Sequence, residues 1–220
     1  MFDLRLGDCL DTLRELPDNS VDSIVTDPPY GINLQPQRGR TKAIANDKRD
    51  DAIALWETML PIMAAKAAPD SAHIFFSGWS ETWAKPLLER HFRVKGCIAW
   101  VKNNFGLGYY LRPQWELAFY CHKGKPPLPA KAQSDVWNVA RVHKPVHSCE
   151  KPVDLMARCV ELTMAGKPTG LVMDPFLGVG ATGVAAVRAG YAFIGCELSP
   201  DYMAIASARI LAALPAEALA

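Results

Sequence analysis

LVMDPFLGVGATGVAAVRAGYAFIGCE, residues 171–197, holds an apolar run, a glycine-rich turn, a small-residue helical pattern, a second apolar run and an acid. That succession is a strand–helix–strand unit. Gly178, Gly180 and Gly183 satisfy G-x-G-x-x-G, and Glu197 stands at the end of the second strand, as a dinucleotide site requires. The physical content is broader than that motif. Glycines let a backbone approach a ligand closely, and a carboxylate after the next strand accepts from ribose hydroxyls, so the frame suits any adenosine-containing ligand.

Position in the chain narrows the choice. A dinucleotide fold needs a second half after this unit, yet only about two dozen residues follow Glu197, enough for one closing helix. The remaining strands must come from upstream, which makes the order a circular permutation with the ligand turn written last. No Lys or Arg stands in the turn to meet a pyrophosphate. β-branched and aromatic runs predict strands at Phe2 to Leu6, Ser23 to Thr26, Ala72 to Ser77, Gly96 to Val101, Glu116 to Cys121, Leu171 to Met173 and Ala192 to Cys196. Alternation with helical patterns makes this an α/β chain with a largely parallel sheet of seven strands and helices on both faces. Residues 153–166, VDLMARCVELTMAG, carry apolar positions at helical spacing and end on Gly166. Residues 50–70 also read as a helix, kinked at Pro61, where an interior proline costs about 3 kcal/mol.

A length of 220 residues, half of them hydrophobic, suits one domain over 1–220, with long irregular insertions near 31–50 and 103–150. No run reaches the roughly 20 apolar residues of a membrane span, and the acid in MFDLRLGD does not fit a signal peptide. Six cysteines without a C-x-x-C pair argue against disulfides and zinc, and His147 with Cys149 lacks further ligands at metal spacing. The net charge is +1, but Lys85 to Lys144 holds eleven Lys or Arg against three acids, and Arg38, Arg40 and Lys42 add to it. A basic middle suits a nucleic-acid ligand; it equally suits a solvated face.

Residues 26–32, TDPPYGI, follow the apolar run at Ser23 to Thr26. Pro28 and Pro29 fix φ and lack an N–H, so the segment can continue neither a helix nor a central strand. Its shape is preset, with the Asp27 carboxylate, the Pro28 carbonyl and the flat ring of Tyr30 held together. Taken locally, Asp27 before proline also reads as a turn former.

DPPY upstream, HSCEKP and then DPFLGVG downstream resemble the circularly permuted, β-class S-adenosylmethionine-dependent DNA amino-methyltransferases, across nearly the whole chain from LGDCLDTL to CELSPDY. The resemblance implies a Rossmann-like seven-stranded methyltransferase fold whose last strand is antiparallel, S-adenosylmethionine as cofactor, double-stranded DNA as partner and extrusion of the target base. Asp27, Pro28, Pro29 and Tyr30 match the catalytic segment. Asp8, Cys9, Asp27, Lys151, Asp174, Phe176, Gly178, Gly180, Thr182, Glu197 and Leu198 fall at cofactor positions, the family's usual GSGTT here reading Gly178-Val179-Gly180-Ala181-Thr182. Arg38, Arg40, Lys42, Lys102, Tyr109, Tyr110 and Arg112 are the expected DNA contacts. Asp at the head of the motif resembles adenine-N6 members more than N4-cytosine members, where serine is common. A non-catalytic DNA-binding relative and a NAD-dependent oxidoreductase are the other readings. A bacterial or phage-encoded cytoplasmic enzyme is implied, within a restriction–modification pair or as an orphan, and a homodimer is admitted though no interface pattern shows it.

Overall fold

The structure, a computed structural model, describes residues 1–33, 45, 47–106, 110–146 and 149–215. Its elements run β1 (Phe2–Leu6), α1 (Cys9–Glu15), β2 (Ser23–Thr26), α2 (Arg49–Lys66), β3 (Ser71–Ser77), α3 (Ala84–Glu89), β4 (Arg93–Val101), β5 (Trp115–Lys123), β6 (Val136–Asn138), α4 (Val153–Thr163), β7 (Leu171–Asp174), α5 (Ala181–Arg188), β8 (Ala192–Glu197) and α6 (Pro200–Leu211). The strands form one sheet in the order β1-β8-β7-β2-β3-β5-β4-β6. Among the described strands only β5 runs against the rest, antiparallel to both β3 and β4. The remaining pairings are all parallel.

Alternation along the strands divides the core between two faces. Val25, Ile74, Phe76, Val172 and Phe193 pack with residues of α4, α5 and α6. Ile24, Phe75, Met173 and Ile194 pack on the opposite face with Leu13 of α1, the Trp56–Met63 stripe of α2, and Leu87 and Leu88 of α3. The period-two pattern of these strands therefore sets helices on both faces.

Three expectations are corrected. Among the described residues the sheet has eight strands, because Val136–Asn138 adds to β4 within the insertion expected to be irregular. Trp137 is buried there, its indole N–H donating to Ser134 O at 2.8 Å. The antiparallel strand is the fifth along the chain, not the last. Helix α2 also runs through Pro61, which lies on its exposed face, where water can satisfy the carbonyl that a proline leaves without an N–H.

The last glycine of the motif is a packing device. A Cβ at Gly183 would stand 2.3 Å from Ile210 Cδ1 and 2.8 Å from the Phe193 ring, so α5 sits on α6 and β8 only without one. Gly183→Ala is expected to gain about 1 kcal/mol of helix propensity and lose about 1–3 kcal/mol to overpacking. The net is a loss of stability, read as a lower urea midpoint; a higher midpoint would show that α6 yields freely.

Candidate active site

From β7 the chain turns through α5 to β8 on one side, and from β2 it turns through α2 to β3 on the other. Helices α5 and α2 lie on opposite faces, so adjacent strands β7 and β2 send their continuations apart and open a crevice at their carboxyl ends. The Asp27–Tyr30 segment leaves β2 there and the glycine turn leaves β7. They are tied together: Thr26 Oγ1 donates to Asp174 Oδ1 at 2.8 Å.

Local contacts hold the proline segment rigid. Trp56 of α2 donates its indole N–H to Pro29 O at 3.1 Å. Buried Asp47 accepts from Gly31 N at 2.9 Å and Ile32 N at 3.3 Å, closing the turn after Tyr30. Gly31 has φ +76°, and a Cβ there would lie 2.8 Å from Arg49 Cα, so glycine is required.

A charge cluster centres on Asp27. The Tyr30 hydroxyl donates to Asp27 Oδ1 at 2.5 Å, and the Lys151 ammonium donates to Asp27 Oδ2. Lys151 also pairs with Glu116 Oε2 at 3.2 Å, while Lys102 donates to Glu116 Oε1 at 2.5 Å. The aromatic rings of Tyr30, Phe76 and Trp100 lie 5.3–6.0 Å from the Lys151 ammonium. Burial pushes the Lys151 pKa down, but Asp27 and Glu116 outweigh it and leave the group above its ordinary value. Burial alone would raise Glu116; Lys151 and Lys102 instead hold it down at about 2. The Tyr30 phenol is driven well above its ordinary value by burial and then by the two carboxylates, so it keeps its proton.

This cluster changes two assignments. Lys151, expected at the cofactor, directs its ammonium to Asp27 and Glu116. Lys102, expected on DNA, is spent on Glu116, with its side chain only 20% exposed. Glu116 was missed altogether. Its signal is a lone acid opening an apolar strand; because β5 runs antiparallel, that residue comes to the edge where the other strands end, opposite Trp100.

The glycine turn forms the other wall. Asp174 is buried and accepts from Thr26, from Thr182 Oγ1 at 2.6 Å and from Phe176 N at 3.1 Å, and burial raises its pKa to about 6. Asp174 and Thr182 thus brace the turn from inside instead of facing a ligand. Gly178 and Gly180 take φ +55° and +87°, and a Cβ at Gly178 would meet no atom within 4 Å, which leaves the turn's backbone open on that side. Glu197 Oε2 accepts from Gly178 N at 2.9 Å and Oε1 from Ser199 N at 2.8 Å, so the carboxylate is fixed while each oxygen keeps a further lone pair. Because β1 pairs with β8, Asp8 comes beside Glu197, where it also caps α1 through Leu10 N at 2.8 Å. Leu198 is exposed and Phe176 half-buried at this rim. Cys9 is buried and its thiol is pushed up to about 12 by burial, so it stays protonated.

Arg38, Arg40, Lys42 and Tyr109 lie outside the described residues. Tyr110 and Leu111 stand almost fully exposed on the β4–β5 connection. Arg112, expected on DNA, braces that connection: its Nε donates to Gly106 O at 2.8 Å and its guanidinium lies 4.2 Å from the Phe105 ring centroid. Lys123 likewise turns inward to the last carbonyls of α2, Ala64 O and Ala67 O. The basic count along the chain therefore overstates the basic surface. Among the described residues no cluster of His, Cys, Asp and Glu could hold a metal, and no helix is long and apolar enough to cross a membrane.

Comparison with known proteins agrees with this geometry. The family model described as DNA methylase, covering N6 and N4 methyltransferases, matches residues 21–208. The putative methylase YubD of Escherichia coli K12 is 32% identical over 208 residues, 94% of this chain and 88% of its own length. The crystal structure of the M1.HpyAVI–SAM complex superposes with a TM-score of 0.72 at 24% identity, covering 95% of this chain and all of its own. The cytosine-N4-specific PvuII DNA methyltransferase superposes at 0.75 with 16% identity, covering 94% of this chain and 86% of its own. A crevice at the strand-order reversal, an acidic proline elbow on one wall and a glycine turn with its carboxylate on the other are what such an enzyme needs, and the chain belongs to the N6/N4 family of DNA methylases.

Proposed function

We propose that this chain transfers a methyl group from S-adenosylmethionine to the N6 amine of an adenine extruded from double-stranded DNA. The observation that carries the reading is the juxtaposition across β2 and β7 of the Asp27–Tyr30 elbow with the open glycine turn. The order of elbow, Lys151-Pro152 and glycine turn along the chain supports the permuted β class.

The residues fit the cofactor. Glu197, fixed by two backbone amides, can accept from ribose hydroxyls, Asp8 stands one strand away for the adenine, and the uncovered backbone at Gly178 permits close approach. When bound, S-adenosylmethionine supplies an electrophilic methyl on a cationic sulfur.

Everything else falls to the chain's own groups. An exocyclic amine is a poor nucleophile because its lone pair is delocalised into the ring. Asp27 and the Pro28 carbonyl each accept one amine N–H, which draws the nitrogen toward tetrahedral geometry and aims the lone pair. Positive charge develops on that nitrogen and fixed acceptors stabilise it, and the nitrogen then gives up its surplus proton to water to leave the neutral methylamine. Orientation adds to the effect, since Trp56 and Asp47 leave the elbow little freedom. Lys151 holds the Asp27 carboxylate in place through its ion pair. Extruding a base costs a few kcal/mol, and stacking on the Tyr30 ring returns about 1–3 kcal/mol.

The test is incubation of duplex DNA with methyl-labelled S-adenosylmethionine, digestion to nucleosides and mass spectrometry. Label is expected on N6-methyladenine. Label confined to cytosine would replace the adenine assignment with N4-cytosine, and absence of label from DNA would remove the reading.

A further inference from the structure

The Tyr30 hydroxyl has one proton and two carboxylates within reach. It donates to Asp27 Oδ1 at 2.5 Å, and Glu116 Oε2 stands 3.3 Å away. Lys151 occupies the other Asp27 oxygen. Each oxygen of the expected amine acceptor therefore already holds one donor before any base arrives, so an amine N–H would have to share it, and the oxygen held by the neutral phenol is the easier to relieve. A phenol this buried cannot simply let go, because its O–H would be left without a partner.

We propose that Glu116 is a positioning residue that takes over the Tyr30 hydroxyl when the target amine arrives, so that Asp27 Oδ1 accepts the amine N–H undivided. The proposal rests on the methyltransferase reading and adds to it the event that exposes the acceptor. The movement is small: closing 3.3 Å to an ordinary O–H···O distance takes a shift of about 0.6 Å. No proton changes owner. Lys102 and Lys151 keep Glu116 ionised and fix its position, so it is an acceptor at every working pH. Glu116 accepts from both ammoniums and has a lone pair left for the phenol. Its place at the start of the antiparallel strand gives the cluster an acceptor next to Tyr30 that does not come from the elbow.

The hand-over makes Glu116 needed only because Tyr30 carries a hydroxyl, which gives a test by second-site rescue. Steady-state methyl transfer is measured for Glu116→Met, Tyr30→Phe and the double variant, with S-adenosylmethionine binding by calorimetry as a check on folding. Glu116→Met is expected to lower kcat about tenfold or more with KM for S-adenosylmethionine unchanged. Tyr30→Phe in that background is expected to restore kcat to within about threefold of Tyr30→Phe alone, a recovery no merely structural role of Glu116 would produce. If the double variant shows the product of the two single losses, or if Glu116→Met transfers normally, the hand-over is overturned. Should Glu116→Met lose cofactor binding through misfolding, Glu116→Gln, which removes one of the two acceptor oxygens, carries the same comparison. The two readings fail separately: no transfer by the unaltered chain removes the methyltransferase assignment, whereas additive losses in an active enzyme remove only the hand-over.

Discussion

Asp27→Ala lowers methyl transfer by about a thousandfold or more while S-adenosylmethionine binding changes little. Removing one preorganised acceptor of developing charge costs about 10²–10³ in rate, and here a second effect adds to it. Lys151 keeps its ammonium within the site, held by Glu116 at 3.2 Å, and without Asp27 an uncompensated cation faces an amine that itself becomes cationic. Cofactor binding survives because Glu197, Asp8 and Gly178 lie on β8, after β1 and after β7, one to three strands from the elbow, with the Glu197 hydrogen bonds made to backbone amides that Asp27 does not touch. Asp27→Asn separates the two effects: it keeps one acceptor oxygen but must present its amide to either Lys151 or Tyr30, so an intermediate loss is expected. Single-turnover transfer beside calorimetry of cofactor binding measures both. Near-normal transfer by Asp27→Ala would mean that the Pro28 carbonyl and the rigid elbow orient the amine alone.

The reason these groups meet is topological, and that part was readable from the chain. Strand β2 was placed at its observed limits because Ser23–Thr26 is a short apolar run stopped by Pro28 and Pro29; likewise β7 and β8 bracket a helix whose glycines announce a turn. Once both were known to sit side by side in a parallel sheet, the crevice followed. Strand β6 was unreadable for the opposite reason: three residues inside a stretch rich in Lys and Pro offer no period, and only burial of Trp137 against the sheet and the Arg158 guanidinium makes them a strand. The roles of single residues depend on contacts across more than a hundred positions. Lys151 reaches Asp27 over 124 residues and Thr26 reaches Asp174 over 148, distances at which sequence spacing says nothing. Glu116 was hidden by direction, since a reader who searches the carboxyl ends of strands passes over the first residues of the one strand that runs the other way.

Lys151 is therefore where the largest effect on stability is expected, and it carries a sign that can be checked. Lys151→Met leaves Asp27 and Glu116 facing each other across Tyr30 with only Lys102 to balance them, both carboxylates still largely buried. Breaking a buried pair by removing one partner costs about 3–5 kcal/mol. In the unaltered protein Glu116 has its pKa held down at about 2, so it stabilises the fold above its ordinary 4.5 and that contribution fades as pH falls from there toward 2, amounting to about 3 kcal/mol. In the variant burial of Glu116 is opposed by Lys102 alone, so its folded pKa is expected to rise above its unfolded one. The variant's stability then rises as pH falls through that value, the reverse of the parent's dependence. Asp174, raised to about 6, and His73, lowered to about 3 by burial, also titrate on folding with opposite signs, but both are common to the two proteins and cancel in the difference. Urea unfolding from pH 7 to pH 5 should therefore show the gap between parent and variant narrowing with acid. A gap that stays constant with pH, or a loss below about 1 kcal/mol at pH 7, would show that Lys151 acts as a packed side chain.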